Sequence, residues 1–238
     1  MNSATARLTL VCITCMMFLC FASTVSFGEV LMIFDDEATV DAIVGSITGI
    51  DPCDIATDPP LIKDTTDGYG DKVSIISRCA FVGKNAGWGY PIKENPAAGE
   101  YRYLTTAWKK EVVDAPGEYV MHQFLGDPGG WEHRIYVGDL TEVAKIWPDA
   151  FKSIAIDEEL PREWTFYVVD LFDSFGEFTL NGMSFDTDGP NILGDRERGA
   201  MHVDAMYLTQ TLAEAEGITS VEPAGKLATT WADIKAQH

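Results

Sequence analysis

"EWTFYVVDLFDSFGEFTLNGMSF", residues 163–185, carries three carboxylates between two runs of aromatic and β-branched residues. Trp164, Phe166 and Val168 alternate with Thr165, Tyr167 and Val169, a period of two that marks a strand and not a helix. Phe178 and Leu180 restart the pattern after "DLFDSFGE". Asp170 and Asp173 therefore fall at a strand end and in a connecting turn, where Asp is favoured for local hydrogen bonding. A pair of glycosidase carboxylates must flank a cleft, roughly 5 to 9 Å apart. Nothing in the spacing of Asp170, Asp173 and Glu177 arranges that, so the stretch reads as scaffold.

The same alternation extends outward. "KVSIIS" (72–77) and "YRYLTTAWKK" (101–110) read as strands, the latter with Arg102, Leu104, Thr106 and Trp108 on one face. "YVMHQFLGDPGGWEHRIYVGD" (119–139) reads as a hairpin turning at Asp127–Gly130. With a symmetric turn, Phe124 faces His133, His122 faces Ile135 and Gly126 faces Trp131, which puts both histidines and Trp131 on one face. A one-residue shift in the turn breaks that arrangement. "SIAIDEELPREWTFYVVDLF" supplies two more strands and "HVDAMYL" (202–208) the closing one. Residues 51–72 and 83–100 are rich in Gly, Pro, Asp and Thr and read as long loops, the second presenting Trp88 and Tyr90. The expected fold is an all-β antiparallel sandwich whose core draws on the chain's six Trp, eight Tyr and twelve Phe, apart from the few that fall in the N-terminal segment before Glu29.

The ends read differently. Leu8 to Phe21 is an apolar run of about 14 residues after a single charge, Arg7, and small residues precede Glu29. That pattern predicts an export signal over 1–28, too short to span a bilayer, which takes roughly 20 residues. The expected compartment is secreted, periplasmic or cell-surface. Past Thr211 the strand pattern stops, so the β domain is expected over 29–212 and a tail over 213–238, with Leu227, Trp231 and Ile234 at the spacing of a short docked helix.

Charge and cysteines narrow the functions. The chain has 17 basic residues against 37 acidic and a formal net charge of −20, which repels phosphate backbones and argues against nucleic acid. Three of five cysteines lie in the signal; Cys53 and Cys79, in an oxidising compartment, predict a disulfide. Dinucleotide, P-loop, zinc-protease and hydrolase fingerprints are missing from the sequence.

"NPAAGEYRYLTTAWKK", "ELPREWTFYVVDLFDSFGEFTLNGMSF" and "HVDAMYL", in that order, resemble the signatures of uncharacterised secreted bacterial jelly-roll modules. Those modules are similar to galactose-binding-domain and carbohydrate-binding-module sandwiches. The resemblance covers roughly residues 83–210 and implies a jelly roll used outside the cell, without bringing an established activity. Val203 stands where the family usually has Phe, and the acidic stretch 186–199 is an insertion. The resemblance also implies that Asp204, on the last strand, joins Asp35, Asp36 or Glu37 around a structural calcium, which needs six to eight oxygens. The competing reading is an Asp204 facing solvent or bonded to backbone amides.

The leading expectation is a non-catalytic module that binds carbohydrate or another extracellular polymer, with Trp88, Tyr90, Trp131, His122, His133 and the 186–199 loop as contacts. His122 and His133 are alternatively the start of a zinc or copper site lacking a visible third ligand, or packed histidines. Two other functions stay open: a cell-surface structural or protein-interaction module without a small ligand, and a polysaccharide hydrolase or lyase.

Overall fold

The computed structural model describes residues 28–45, 61–70, 72–77, 84–111, 117–141, 152–187 and 199–219. Eleven strands and three short helices run in the order β1 (Val30–Phe34), α1 (Glu37–Gly45), β2 (Leu61–Asp64), β3 (Ser74–Ser77), β4 (Lys84–Ile92), β5 (Tyr103–Lys110), β6 (Tyr119–Asp127), β7 (Gly130–Gly138), β8 (Lys152–Asp157), β9 (Thr165–Asp170), α2 (Leu171–Phe175), β10 (Phe178–Thr187), β11 (Met201–Thr209) and α3 (Leu212–Thr219). They form an all-β sandwich. Sheet one has six strands, ordered β2-β3-β11-β5-β9, with β1 also on β11. Sheet two has five, ordered β4-β10-β6-β7-β8. Every pair is antiparallel except β7 and β8, which run parallel. A parallel pair needs a crossover and not a hairpin, and the long connection after Gly138 provides one.

Alternation sorts β5 as its sequence predicts. Leu104, Thr106 and Trp108 point inward, while Thr105 and Ala107 face out. On β9, Tyr167 and Val169 join the core, while Phe166, and Trp164 just ahead of the strand, fall on the outside. Trp108, Phe124, Phe185, Ile75 and Leu104 are fully buried between the sheets. Each such side chain contributes about 1.5–3 kcal/mol. A smaller cluster covers the outside of sheet one, where Ala107, Ala205 and Tyr207 pack against Ile218 of α3.

Between the two strands of residues 163–185 the chain makes one tight helix, α2. Asp170 caps it by accepting from the Asp173 amide at 2.9 Å, and its other oxygen takes Arg102 Nε at 2.8 Å and Nη2 at 2.7 Å. Glu177 pairs with Lys93 at 2.7 Å. The carboxylates of the opening stretch thus hold a strand–helix–strand corner together.

Three regions depart from the loop-and-tail expectations. Trp88 and Tyr90 sit on a strand, β4, which tolerates Pro91 because it is a sheet edge. Residues 61–64, within the expected 51–72 loop, form β2. A helix occupies 212–219 at the start of the expected tail; Leu227, Trp231 and Ile234, where a short docked helix is expected, lie outside the described residues. So do Cys53 and Cys79, residues 188–198 of the acidic insertion, and residues 1–27 of the expected export signal.

Candidate functional site

The hairpin fixes the two histidines. His122 pairs with Ile135 and Phe124 with His133, as expected, so both imidazoles point inward. His122 is fully buried, with its Nε2 2.8 Å from Trp108 Nε1 and 3.4 Å from Thr106 Oγ1. An indole N–H only donates, so Nε2 is the acceptor and the ring proton belongs on Nδ1. Burial pushes the His122 pKa down to about 3, against a smaller opposing pull from the Ser184 backbone. His133 is wedged between Phe175 and Phe178, with centroids 4.9 and 4.7 Å away. It lies so close to Gly126 that a Cβ there would meet Nδ1 at 2.7 Å, which is why that position is glycine. Both histidines are interior groups, out of reach of a polymer.

Trp131 parts from them. Gly126 pairs with Gly130, not with Trp131, and the register shifts before Phe124–His133. Trp131 and Glu132 together oppose Leu125, a β-bulge on β7 that puts Trp131 on the Leu125 side of the sheet, away from the core histidines. The turn asymmetry that would break the one-face arrangement is present. Trp131 is half-buried, and its carbonyl accepts from Gln123 Nε2. On that outer face Ser184, Gln123 and Arg134 stand in register across β10, β6 and β7, all buried, and Tyr119 donates to Asp186 at 3.0 Å.

Trp88 and Tyr90 come together. Their ring centroids are 5.7 Å apart with planes at 36°, and Tyr101 meets Tyr90 edge-on at 6.0 Å. Both rings are half-buried, packed on one side against the core. β4 is irregular here: Tyr90 pairs with Leu180 but Asn85 with Gly182, so several β4 residues bow out against the span of two on β10. The bow carries Trp88. Tyr101 donates to Glu29 at 3.3 Å, and burial, with Glu29 adding to it, pushes its pKa up to about 12.

The acidic residues from the two ends of the domain do meet. Asp35, Asp204 and Asp36 all help burial hold the Tyr207 phenol above its ordinary range. Their oxygens, however, are taken by protein donors. Asp204, fully buried, accepts the amides of Tyr69 and Ala205, each at 2.8 Å. Asp35 accepts from Tyr207. Asp36 caps α1 through Thr39, whose bonds hold its carboxyl below the usual value, and Glu37 pairs with Lys63 at 3.1 Å. Among the described residues no group of three or more His, Cys, Asp or Glu forms a metal site. As placed, the set fits a hydrogen-bonded clasp better than a calcium cage. Ala205 takes a left-handed φ of 49°, the extra residue of a bulge that sets Asp204 and Tyr207 on the same outer face.

A further constellation lies on that face and was not singled out in the sequence. Trp164 Nε1 donates to Asp67 Oδ1 at 2.9 Å, and Lys109 Nζ to Asp67 Oδ2 at 2.7 Å. These bonds hold the Asp67 carboxyl below the usual range, Lys109 first and Trp164 after burial's opposing effect. Tyr69 meets Trp164 at 6.5 Å and Phe166 at 5.3 Å, and His202 meets Trp164 at 6.2 Å while standing 3.3 Å from Glu111. The signal was available: β9 is apolar on both faces, so its outward Trp164 and Phe166 need a cover or a partner.

No family model and no curated protein matches this chain.

Proposed function

We propose that this chain is a non-catalytic β-sandwich module that binds carbohydrate or another extracellular polymer. The observation that carries the reading is the Trp88–Tyr90 ledge: two half-exposed rings, 5.7 Å apart, braced from behind by Tyr101 on an edge strand. Aromatic faces of this kind give large contact area at low entropic cost, and they stack on the apolar face of a sugar ring. The Lys93–Glu177 pair, three residues past Tyr90 and just beyond the end of β4, supplies polar groups within roughly 10 Å. Trp131 is retained as a second contact to test, on the opposite side of sheet two; His122 and His133 are not. The non-catalytic part of the reading is supported by Asp170 and Glu177, whose carboxylates pair with Arg102 and Lys93.

The test is affinity electrophoresis against a panel of soluble polysaccharides. Trp88→Ala is expected to abolish retardation while its circular dichroism and melting match the wild type. Unretarded wild-type protein on every polysaccharide, or undiminished binding by Trp88→Ala, would count against the proposal. Release of reducing ends or unsaturated sugars from the same panel would favour the hydrolase or lyase reading instead.

A second reading has its own observation. β8 is an edge of sheet two, and its Ser153, Ile154 and Ala155 are all exposed. An open edge with an exposed Ile is what a protein-interaction module offers for strand addition. Failure on every glycan, with capture of an extended peptide through residues 153–155, would favour it.

A further inference from the structure

We propose a second carbohydrate site on the outer face of sheet one, where Trp164, Tyr69, Asp67 and Lys109 receive one neutral pyranose ring, making the module bivalent for a polymer. This inference rests on the reading of the chain as a polymer-binding module.

The plainer account is packing alone, and it covers only part of the cluster. Phe166 belongs with Ala107, Ala205, Tyr207 and Ile218, a small packed patch beneath α3. Trp164 packs on the same patch but is half-buried, with polar groups beside it: its N–H goes to Asp67, which pairs with Lys109, and its ring meets His202 edge-on. A ring wanted only for its apolar area gains little from that company. A ring offered to a sugar gains much, because each hydroxyl needs a donor or an acceptor beside the stacked face.

The polar groups are prearranged. Asp67 fixes the indole through one oxygen and the Lys109 ammonium through the other. Lys109 has three donors, and its side chain keeps 27% of its exposure, while Asp67 keeps 37%. An ammonium and a carboxylate held side by side suit two neighbouring hydroxyls, one accepting and one donating. Local charge selects the ligand class. Lys109 feels Asp67, Glu163 and Glu111 together, so among the described residues its charge is offset and does not favour an anionic sugar. The chain's formal net charge of −20 opposes one further. A neutral glycan is what remains.

The two sites are far apart. The Trp88–Tyr90 ledge is braced at Tyr101, and the second site is anchored at Lys109 on the far end of β5. Tyr101 stands two residues ahead of β5 and Lys109 eight residues beyond Tyr101, roughly 26 Å of near-extended chain. The two sites also belong to different sheets. One ring cannot touch both, but one polymer chain, or two, can, and linking two weak sites raises apparent affinity about 10²–10⁴-fold.

The experiment uses the export-processed chain and neutral hexasaccharides of gluco, xylo, manno and galacto configuration in isothermal titration, with turbidity of the matching polysaccharides as a second readout. Wild type is expected to bind two hexasaccharides per chain and to cross-link polymer. Lys109→Ala, which leaves the Trp164–Asp67 bond in place, and Trp88→Ala are each expected to bind one and to lose cross-linking; the double variant binds none. Trp164→Phe serves as the milder aromatic change if Trp164→Ala does not fold. A wild-type stoichiometry of one, abolished by Trp88→Ala and untouched by Lys109→Ala, overturns the second site and leaves the proposed function standing. A stoichiometry of one that Lys109→Ala removes and Trp88→Ala does not supports the outer-face site and overturns the ledge. No binding of any hexasaccharide or polysaccharide by wild type overturns both.

Discussion

Trp108 and Trp164 lie on opposite faces of sheet one, and each gives its indole N–H to a titratable side chain. Inside, Trp108 donates to His122 at 2.8 Å; outside, Trp164 donates to Asp67 at 2.9 Å. The acceptors have opposite electrical states. His122, wholly buried, is forced neutral, because a charge there would have no water and no counter-ion. Asp67, at the rim, is kept ionised by Lys109 and Trp164. One hydrogen-bond type thus serves two purposes. Within the core it satisfies a polar atom that apolar packing has trapped, and at the surface it aims a ring and a charge pair outward.

The largest effect separating the two tethers should come from truncation. His122→Ala opens a cavity beside Trp108, Phe124 and Phe185 and strands the Trp108 N–H. The expected cost is about 3–4 kcal/mol in urea unfolding. A cost under 1 kcal/mol would mean that the core repacks and that the tether is dispensable.

Next in size is the pH response. His122 has a folded pKa below its unfolded one, so the unfolded chain binds more protons between about pH 6.5 and 3. The His122 contribution is complete above about 6.5 and is lost progressively as pH falls toward 3. Asp67 is also lowered, so its contribution is complete above the ordinary carboxylate range and fades only as pH falls through its folded value. Melting temperature followed from pH 7.5 downward should begin to drop below about 6.5. In His122→Gln, which accepts from Trp108 but does not titrate, that early drop should flatten. An unchanged slope would assign it to other groups.

The smallest effect is expected at the rim. Asp67→Asn keeps an acceptor for Trp164 but loses the pairing with Lys109. With both side chains partly exposed, the cost should stay below about 1 kcal/mol and shrink in high salt. A larger, salt-independent loss would show that Asp67 is a core group like His122, which would erase the distinction.

The inner tether was more legible in the sequence than the outer one. The period-two pattern of 101–110 groups Leu104, Thr106 and Trp108 on one face, and the pairing of His122 with Ile135 follows from hairpin symmetry near the strand centres. Symmetry failed only near the turn. There Gly126 joins Gly130, and a bulge moves Trp131 to the other face. A bulge adds one residue without changing composition, so alternation alone does not reveal it. Long-range closure was equally hidden. Asp67 is 97 residues from Trp164, and Tyr69 is 135 from Asp204. Nothing local in "TTDGYGDK" announces those partners. β4 was missed for a related reason: its glycines and Pro91 carry loop propensities, and only pairing to β10 makes the stretch extended.

β11 has a bearing on how the chain is made. It takes β5 along one side and both β3 and β1 along the other. A ribosome therefore releases β1, β3 and β5 before the strand that joins them exists, and the first strand described here waits for the eleventh. Such an order delays closure until translation has passed residue 209. Truncation ahead of Met201 should leave an unclosed, protease-sensitive chain rather than a smaller sandwich.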